Sequence, residues 1–328
     1  MPILQVEGLK KYFPIYGGIF LRQQGVVHAV DGISFDVRKG ETLGLVGESG
    51  CGKTTLGRCI MGLYSLTDGS VTLNGEKVVT AKGGRVGQAL KLSRLKMQMI
   101  FQDPFESLNS RHTVGEILEE KYIIYNHLGI TKYKANERKK EVLKLLDRVG
   151  LSSDAIRRFP HEFSGGQRQR IGIARAITLE PQVLICDEPV SALDVSVQSQ
   201  ILNLILNLQK EMGLTCLFIS HDLGVVRHLS DRIAVMYLGE IVELAEAQAL
   251  YNQPLHPYTE ALISAIPVPN PQFKKTRIIL KGEVPSPINP PKGCRFHTRC
   301  RYVMDICRCE YPHLKPSANI HFVACHRY

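Results

Sequence analysis

Gly47-Glu48-Ser49-Gly50-Cys51-Gly52-Lys53-Thr54, continued by Thr55, is the stretch on which the fold turns. It fits G-x-x-x-x-G-K-[ST] and follows the apolar run Leu43 to Val46, which reads as a strand. Glycines at these positions let successive backbone N–H groups turn inward around phosphate oxygens, and the helix that follows offers its positive end. Lys53 supplies a point charge for the β- and γ-phosphates, and the Thr54 hydroxyl a ligand for Mg²⁺. The stretch predicts an ATP site.

Working outward, short apolar runs of β type recur, each followed by a loop and a helical pattern: Thr42 to Val46, Met97 to Phe101, Val183 to Cys186, Cys216 to Ser220 and Ile233 to Tyr237. Runs apolar on both faces suit a buried, largely parallel sheet. Met1 to Val6 reads as an edge strand. The stretch from Val114 to Leu179 is mostly helical in pattern, and Val142, Leu145, Leu146 and Val149 recur every three or four residues in a helix Asn136 to Val149 closed by Gly150. Val197 to Met212 reads the same way. These patterns predict an α/β nucleotide domain over 1–245 with a helical subdomain inserted at about 110–180. Beyond it come Pro254, Pro257, Pro267, Pro269 and Pro271, then Pro285, Pro287, Pro290 and Pro291. Prolines this dense forbid long helices and predict a separate, loop-rich extension over 246–328.

At 328 residues the chain has room for one large domain and a smaller one. Its 44% hydrophobic and 22% charged residues exclude a disordered chain. The net charge of +10 is scattered, with only short clusters such as Lys139-Lys140, so it suits nucleic acid, an anionic membrane or a nucleotide and selects none of them. No apolar stretch nears the roughly 18 residues that span a bilayer. The first residues lack a basic segment and apolar core, so no signal peptide is expected, and the nine cysteines are expected to be reduced in a cytosolic setting.

Val183 to Glu188 is an apolar run ending in two carboxylates. Asp187 is placed to hold Mg²⁺, directly or through water, and Glu188 to polarise the attacking water as general base. Phe163-Ser164-Gly165-Gly166-Gln167 precedes the helix Arg168 to Leu179, so Ser164 and the glycine N–H groups make a second anion site at a helix start. With these residues together, the chain resembles the ATP-binding cassette (ABC) ATPases. That resemblance implies a P-loop cassette fold: a RecA-like core, an N-terminal β region and an inserted helical subdomain. It also implies that two cassettes pack head to tail, each ATP lying between one phosphate loop and the other's Ser164 to Gln167. Gln102, in Phe101-Gln102-Asp103-Pro104, matches the glutamine that contacts Mg²⁺ and water and couples to a membrane partner. Ser191-Ala192-Leu193-Asp194 matches the loop that crosses the dimer seam, and His221 the histidine that reaches the γ-phosphate. An aromatic near the N-terminus should stack on adenine; Phe13 fits the spacing from the first strand best, with Tyr12 as the close alternative. Since Glu188 and His221 are both present, an active hydrolase is expected.

Asn252-Gln253-Pro254-Leu255-His256-Pro257-Tyr258-Thr259 resembles the His-Pro-Tyr segment that follows the cassette in peptide importers. Pro160-His161-Glu162, Phe101 to Asn109, the inserted residues Pro14 to Val27 and Ala29-Val30-Asp31-Gly32 agree with that group, most closely with the second ATPase subunit of dipeptide and oligopeptide permeases. Ser110 stands where proline is usual, and Thr54 where serine is commoner. The resemblance implies a second ATPase subunit, paralogous or identical, two transmembrane permease subunits and an extracytoplasmic peptide-binding protein. It implies a peripheral position on the cytoplasmic face of the membrane and no nucleic-acid partner. Peptides, nickel and other small solutes remain open as cargo. A DNA-repair or chromosome ATPase is the competing class, but it would carry a long coiled coil or zinc modules between its cassette halves, which this sequence lacks.

Cys294-x5-Cys300-x6-Cys307-x17-Cys325 lacks the close pairs of zinc fingers. The resemblance implies that these four hold a [4Fe–4S] cluster, with Cys309 outside the set. A zinc site using His297 or His326 is the alternative. Cys186 and Cys216 read as core residues. Cys51 reads as a filler of the phosphate loop, with sensitivity to thiol reagents as the alternative.

Overall fold

The computed structural model describes residues 2–17, 22–81, 87–103, 107–267, 277–318 and 320–328. Pro104, Pro269 and Pro271 lie outside them. The chain divides into two compact units, 1–90 with 217–328, and 91–216.

The first unit contains β1 (Pro2–Gly17), β2 (Arg22–Arg38), β3 (Thr42–Val46), β4 (Asp68–Leu73) and β5 (Glu76–Thr80). After the second unit's β6 (Met97–Ile100) and β7 (Val183–Asp187), the chain re-enters the first within β8 (Thr215–Ser220) and continues through β9 (Arg232–Tyr237), β10 (Glu240–Glu246), β11 (Lys315–Ala318) and β12 (His321–Val323). β1 and β2 form a long antiparallel hairpin, and their sheet runs β2-β1-β4-β5. The predicted edge strand at the N-terminus is therefore a central one. Ile3, Leu4, Val6 and Leu9 are all buried, as a strand with neighbours on both sides requires; a terminal position in sequence says nothing about which edges pair. Of the inserted residues, Pro14 to Gly17 and Arg22 to Val27 supply the far ends of the hairpin, with Phe13 opposite Val27.

β3, buried along its whole length, pairs in parallel with β9, which turns at Leu238-Gly239 into antiparallel β10. β12 then joins β10, and β11 joins β12. The C-terminal residues thus extend the sheet that carries the phosphate loop. As the prolines dictate, helices in this region are short: Ala247–Asn252, Pro257–Ser264 and Ile306–Cys309. The fully buried Glu243 carboxylate pins the region by accepting hydrogen bonds from the Leu255 N–H (2.8 Å) and the His256 N–H (3.0 Å), with His321 Nε2 at 2.7 Å.

His256 is itself buried, and its Nδ1 accepts from the Tyr258 N–H at 3.1 Å, which requires an unprotonated ring nitrogen. Burial drives its pKa down to about 4, against partial opposition from Glu243. An unfolded histidine titrates near ~6.5, so below that pH the unfolded chain takes up a proton that the folded one refuses. Stability from this group is full above about 6.5 and is lost as pH falls towards the folded value, by about 3 kcal/mol in total. Urea midpoints measured between pH 7 and 5 should fall for the native chain and vary less for His256→Asn.

In the second unit β6 and β7 pair in parallel, Met97 opposite Val183 through Ile100 opposite Cys186. The helix expected at Asn136 to Val149 spans Ala135–Arg148, with Val149 as its C-cap and Gly150 following in the left-handed region at φ 70°. Its buried face is Val142, Leu145 and Leu146. Thr113 and Glu116 form a reciprocal capping box at the start of Val114–His127.

Candidate functional site

The phosphate loop joins the end of β3 to the helix Lys53–Ile60. Gly52 has φ 107°, and a β-carbon there would collide with the Ala29 carbonyl and Met236, so only glycine fits. Lys53 is 4% exposed, and its Nζ donates to the Gly47 carbonyl (2.8 Å) and the Glu48 carbonyl (3.1 Å), which fixes the ammonium at the centre of the loop. Thr54 and Thr55 are half-buried in the helix's first turn. Cys51 is buried, and burial pushes its thiol up, so the filler reading fits better than that of a reactive thiol.

Contacts from far along the chain hold the loop from behind. Gly239 donates its N–H to the Cys51 carbonyl at 2.9 Å, and Glu48 donates its own to Tyr258 Oη at 2.8 Å. Arg299 grips the Glu48 carboxylate. The sequence reading missed these last two partners, because nothing local marks a pairing across such separations. Phe13 meets Tyr64 edge-on at 5.6 Å, with the Lys11 ammonium 4.7 Å from its ring centre. Tyr12 packs on His28 at 4.4 Å and donates its hydroxyl to Asp31, which also pairs with Arg295. His221 is exposed just after β8, and Asp222 caps the next helix through the Gly224 N–H at 2.7 Å.

In the second unit Asp187 is fully buried at the end of β7, and Glu188 follows half-buried with φ 43°. A left-handed glutamate costs about 1–3 kcal/mol of backbone strain, the kind that gathers at functional sites. The turn is tied down by Ser191, whose Oγ and N–H both donate to the Glu188 carbonyl, at 3.1 and 3.2 Å. Gln102 Nε2 donates to Glu188 Oε2 at 3.3 Å, so two sequence-predicted residues 86 positions apart meet. Ser164 caps the helix Gly165–Ile177 reciprocally with Gln167. Gly166 lies so close to Val197 that a β-carbon would clash, while Gly165 faces Leu193. Ser164, Gln167 and Asp194 are exposed, and Val195 beside them is 78% exposed.

In the C-terminal segment, burial pushes the Cys294 thiol up to about 12, and Cys307, Cys325 and Cys300 are all near enough to raise it electrostatically. Cys309 is exposed. Among the described residues no three His, Cys, Asp or Glu side chains converge tightly enough to hold a metal ion. His297 Nδ1 and His326 Nε2 each hydrogen-bond a backbone carbonyl, of Cys294 and Glu310.

A family model described as "ABC transporter" matches residues 30–191, and one described as "Oligopeptide/dipeptide transporter, C-terminal region" matches 242–307. The oligopeptide transport ATP-binding protein AppF of Bacillus subtilis (strain 168) is 53% identical over 328 residues, covering 99% of this chain and 97% of its own. This chain belongs to the ABC transporter family. The dipeptide transport ATP-binding protein DppF of Haemophilus influenzae is 47% identical over 324 residues, covering 99% and 96%. Among solved structures, the ATP-binding cassette MJ0796, in a dimeric post-hydrolysis state bound to ADP and Pi, aligns with a TM-score of 0.64 and 26% identity over 74% of this chain and 98% of that one. The fold is that of an ABC cassette, and the cassette is an ATPase. No described helix is long and apolar enough to cross a membrane.

Proposed function

We propose that this chain is the ATP-hydrolysing subunit that energises import of dipeptides or oligopeptides. The observation that carries the reading is likeness over 99% of the chain to an oligopeptide transport ATP-binding protein, C-terminal region included. Residues 1–245 form the cassette, with its helical subdomain at about 110–180, and 246–328 the peptide-permease extension. The cassette pairs head to tail with a second, paralogous one and docks on two transmembrane subunits at the cytoplasmic face of the membrane. An extracytoplasmic binding protein delivers the peptide.

In each site the N–H groups of Gly47 to Thr55 and the Lys53 ammonium hold the phosphates. Phe13 stacks on adenine, since the Tyr12 ring and hydroxyl are committed to His28 and Asp31. The oxygens of Thr54, Gln102 and Asp187 suit Mg²⁺, which neutralises charge on the β- and γ-phosphates. Glu188 accepts the proton of the attacking water, Gln102 orients it, and His221 reaches the γ-phosphate. Ser164 to Gln167 and Asp194 come from the opposite cassette, in keeping with their exposure.

Cys294, Cys300, Cys307 and Cys325 hold a [4Fe–4S] cluster, which serves as a structural cross-link. In support, Cys300, Cys307 and Cys325 all lie near enough to Cys294 to raise its thiol electrostatically. Co-expression with permease subunits in liposomes tests the transport reading: ATPase activity should rise with a peptide-loaded binding protein. ATPase activity stimulated by DNA, with no retention of membrane subunits, overturns it in favour of the repair class.

A further inference from the structure

Glu48 is an unexpected residue for its position. A carboxylate in the first turn of a loop built to attract phosphates opposes the charge of its own ligand. Arg299, 8% exposed, answers it with a two-pronged grip: Nη1 donates to Oε2 at 2.7 Å and Nη2 to Oε1 at 3.2 Å. The backbone of the same glutamate is held separately, by Tyr258 Oη. Tyr258 is fully buried against Tyr237 at 4.8 Å and Phe296 at 5.5 Å, and Phe296 belongs to the same turn-rich segment as Arg299. Glu48 is therefore fixed at both ends by residues 251 and 210 positions away. Its carbonyl in turn receives the Lys53 ammonium. Contacts run without a break from Arg299 through Glu48 to the lysine that meets the phosphates.

We propose that Arg299 is a positioning residue for ATP, neutralising and orienting Glu48 so that the phosphate loop accepts an anionic ligand. It reaches the nucleotide only through Glu48. The C-terminal extension thereby sets the affinity of the cassette to which it is attached. The inference rests on the loop's being the ATP site, and the experiment separates the two: a native chain that does not bind MgATP refutes that reading, whereas native binding with indifferent variants refutes this one.

MgATP affinity is measured by calorimetry on the full chain, in a double-mutant cycle of Arg299→Ala and Glu48→Gln, with Arg299→Lys as the conservative variant. With Glu48 in place, Arg299→Ala should weaken binding about tenfold, because it strands a half-buried carboxylate beside the phosphates. With Gln at position 48 the same change should cost less than about threefold, since the opposing charge is gone. Arg299→Lys should fall between, keeping the charge without the fork. In steady-state assays the loss should lie in KM, with kcat within about twofold. An equal loss in both backgrounds means that Arg299 only holds the extension together and overturns the proposal, as does unaltered binding in Arg299→Ala.

Discussion

Glu188→Gln is expected to lower ATP turnover by about 10²–10⁴-fold, the usual range for removing a general base, while MgATP still binds. Glutamine keeps the shape of the side chain and its contact with Gln102, 3.3 Å away, but cannot accept a proton from water. The proposed phosphate-binding groups lie elsewhere, on Gly47 to Thr55, so the nucleotide should persist uncleaved and the closed pair of cassettes should accumulate. Phosphate release in a single turnover, together with gel filtration in the presence of MgATP, checks both halves. Normal turnover in the variant would remove Glu188 from the base's role. Failure to bind ATP would place the residue in the binding machinery instead. The left-handed backbone at φ 43° adds a control, because Glu188→Ala also changes a strained position. The glutamine variant is the cleaner test, since it retains the side-chain contact that helps hold the turn.

Much of this site was legible because its chemistry is local. A phosphate loop needs glycines at fixed offsets, and a buried strand ending in two carboxylates shows itself in six residues, so β3, β7 and the helix after Ser164 lie close to where the patterns put them. What escaped was pairing between distant residues. The apolar residues of β1 mark it as a strand but do not reveal that it has partners on both edges. Arg299 carries no sign of Glu48, because an ion pair across 251 positions is decided by the packing of the whole unit. The proline-dense region reads as a separate appendage, yet its last strands join the sheet of β3 through β9, β10 and β12, and its side chains support the phosphate loop. Proline spacing limits helix length; it does not say what the loops rest on.

That dependence shapes the expected result of removing a cluster ligand. Purified without oxygen, the native chain should be brown, with iron and sulfide in equal, stoichiometric amounts, and Cys307→Ser should lose both. Cys309→Ser should keep them, since Cys309 is exposed and is not one of the four proposed ligands. Among the described residues of 294–325, apart from β11 and β12, there is only the four-residue helix Ile306–Cys309, and the buried apolar side chains are few: Phe296, Pro312, Val323 and Ala324 beside the cysteines. So small a core would gain from a cross-link, and on the proposed reading the binding energy of a cluster would be folding energy here. Amide protection across the segment should therefore fall by about 10²-fold or more in Cys307→Ser, while the β1–β2 hairpin keeps its own. Because the segment carries Arg299, MgATP affinity should fall with it, and supplying Glu48→Gln should recover part of that loss. A colourless native protein with stoichiometric zinc would replace the cluster by a mononuclear site. Loss of metal from Cys309→Ser would mean that the four ligands are wrongly chosen. Loss of the cluster with unchanged ATP affinity would instead show that Arg299 keeps its grip without the metal, leaving the ion pair and its aromatic support to hold the loop alone.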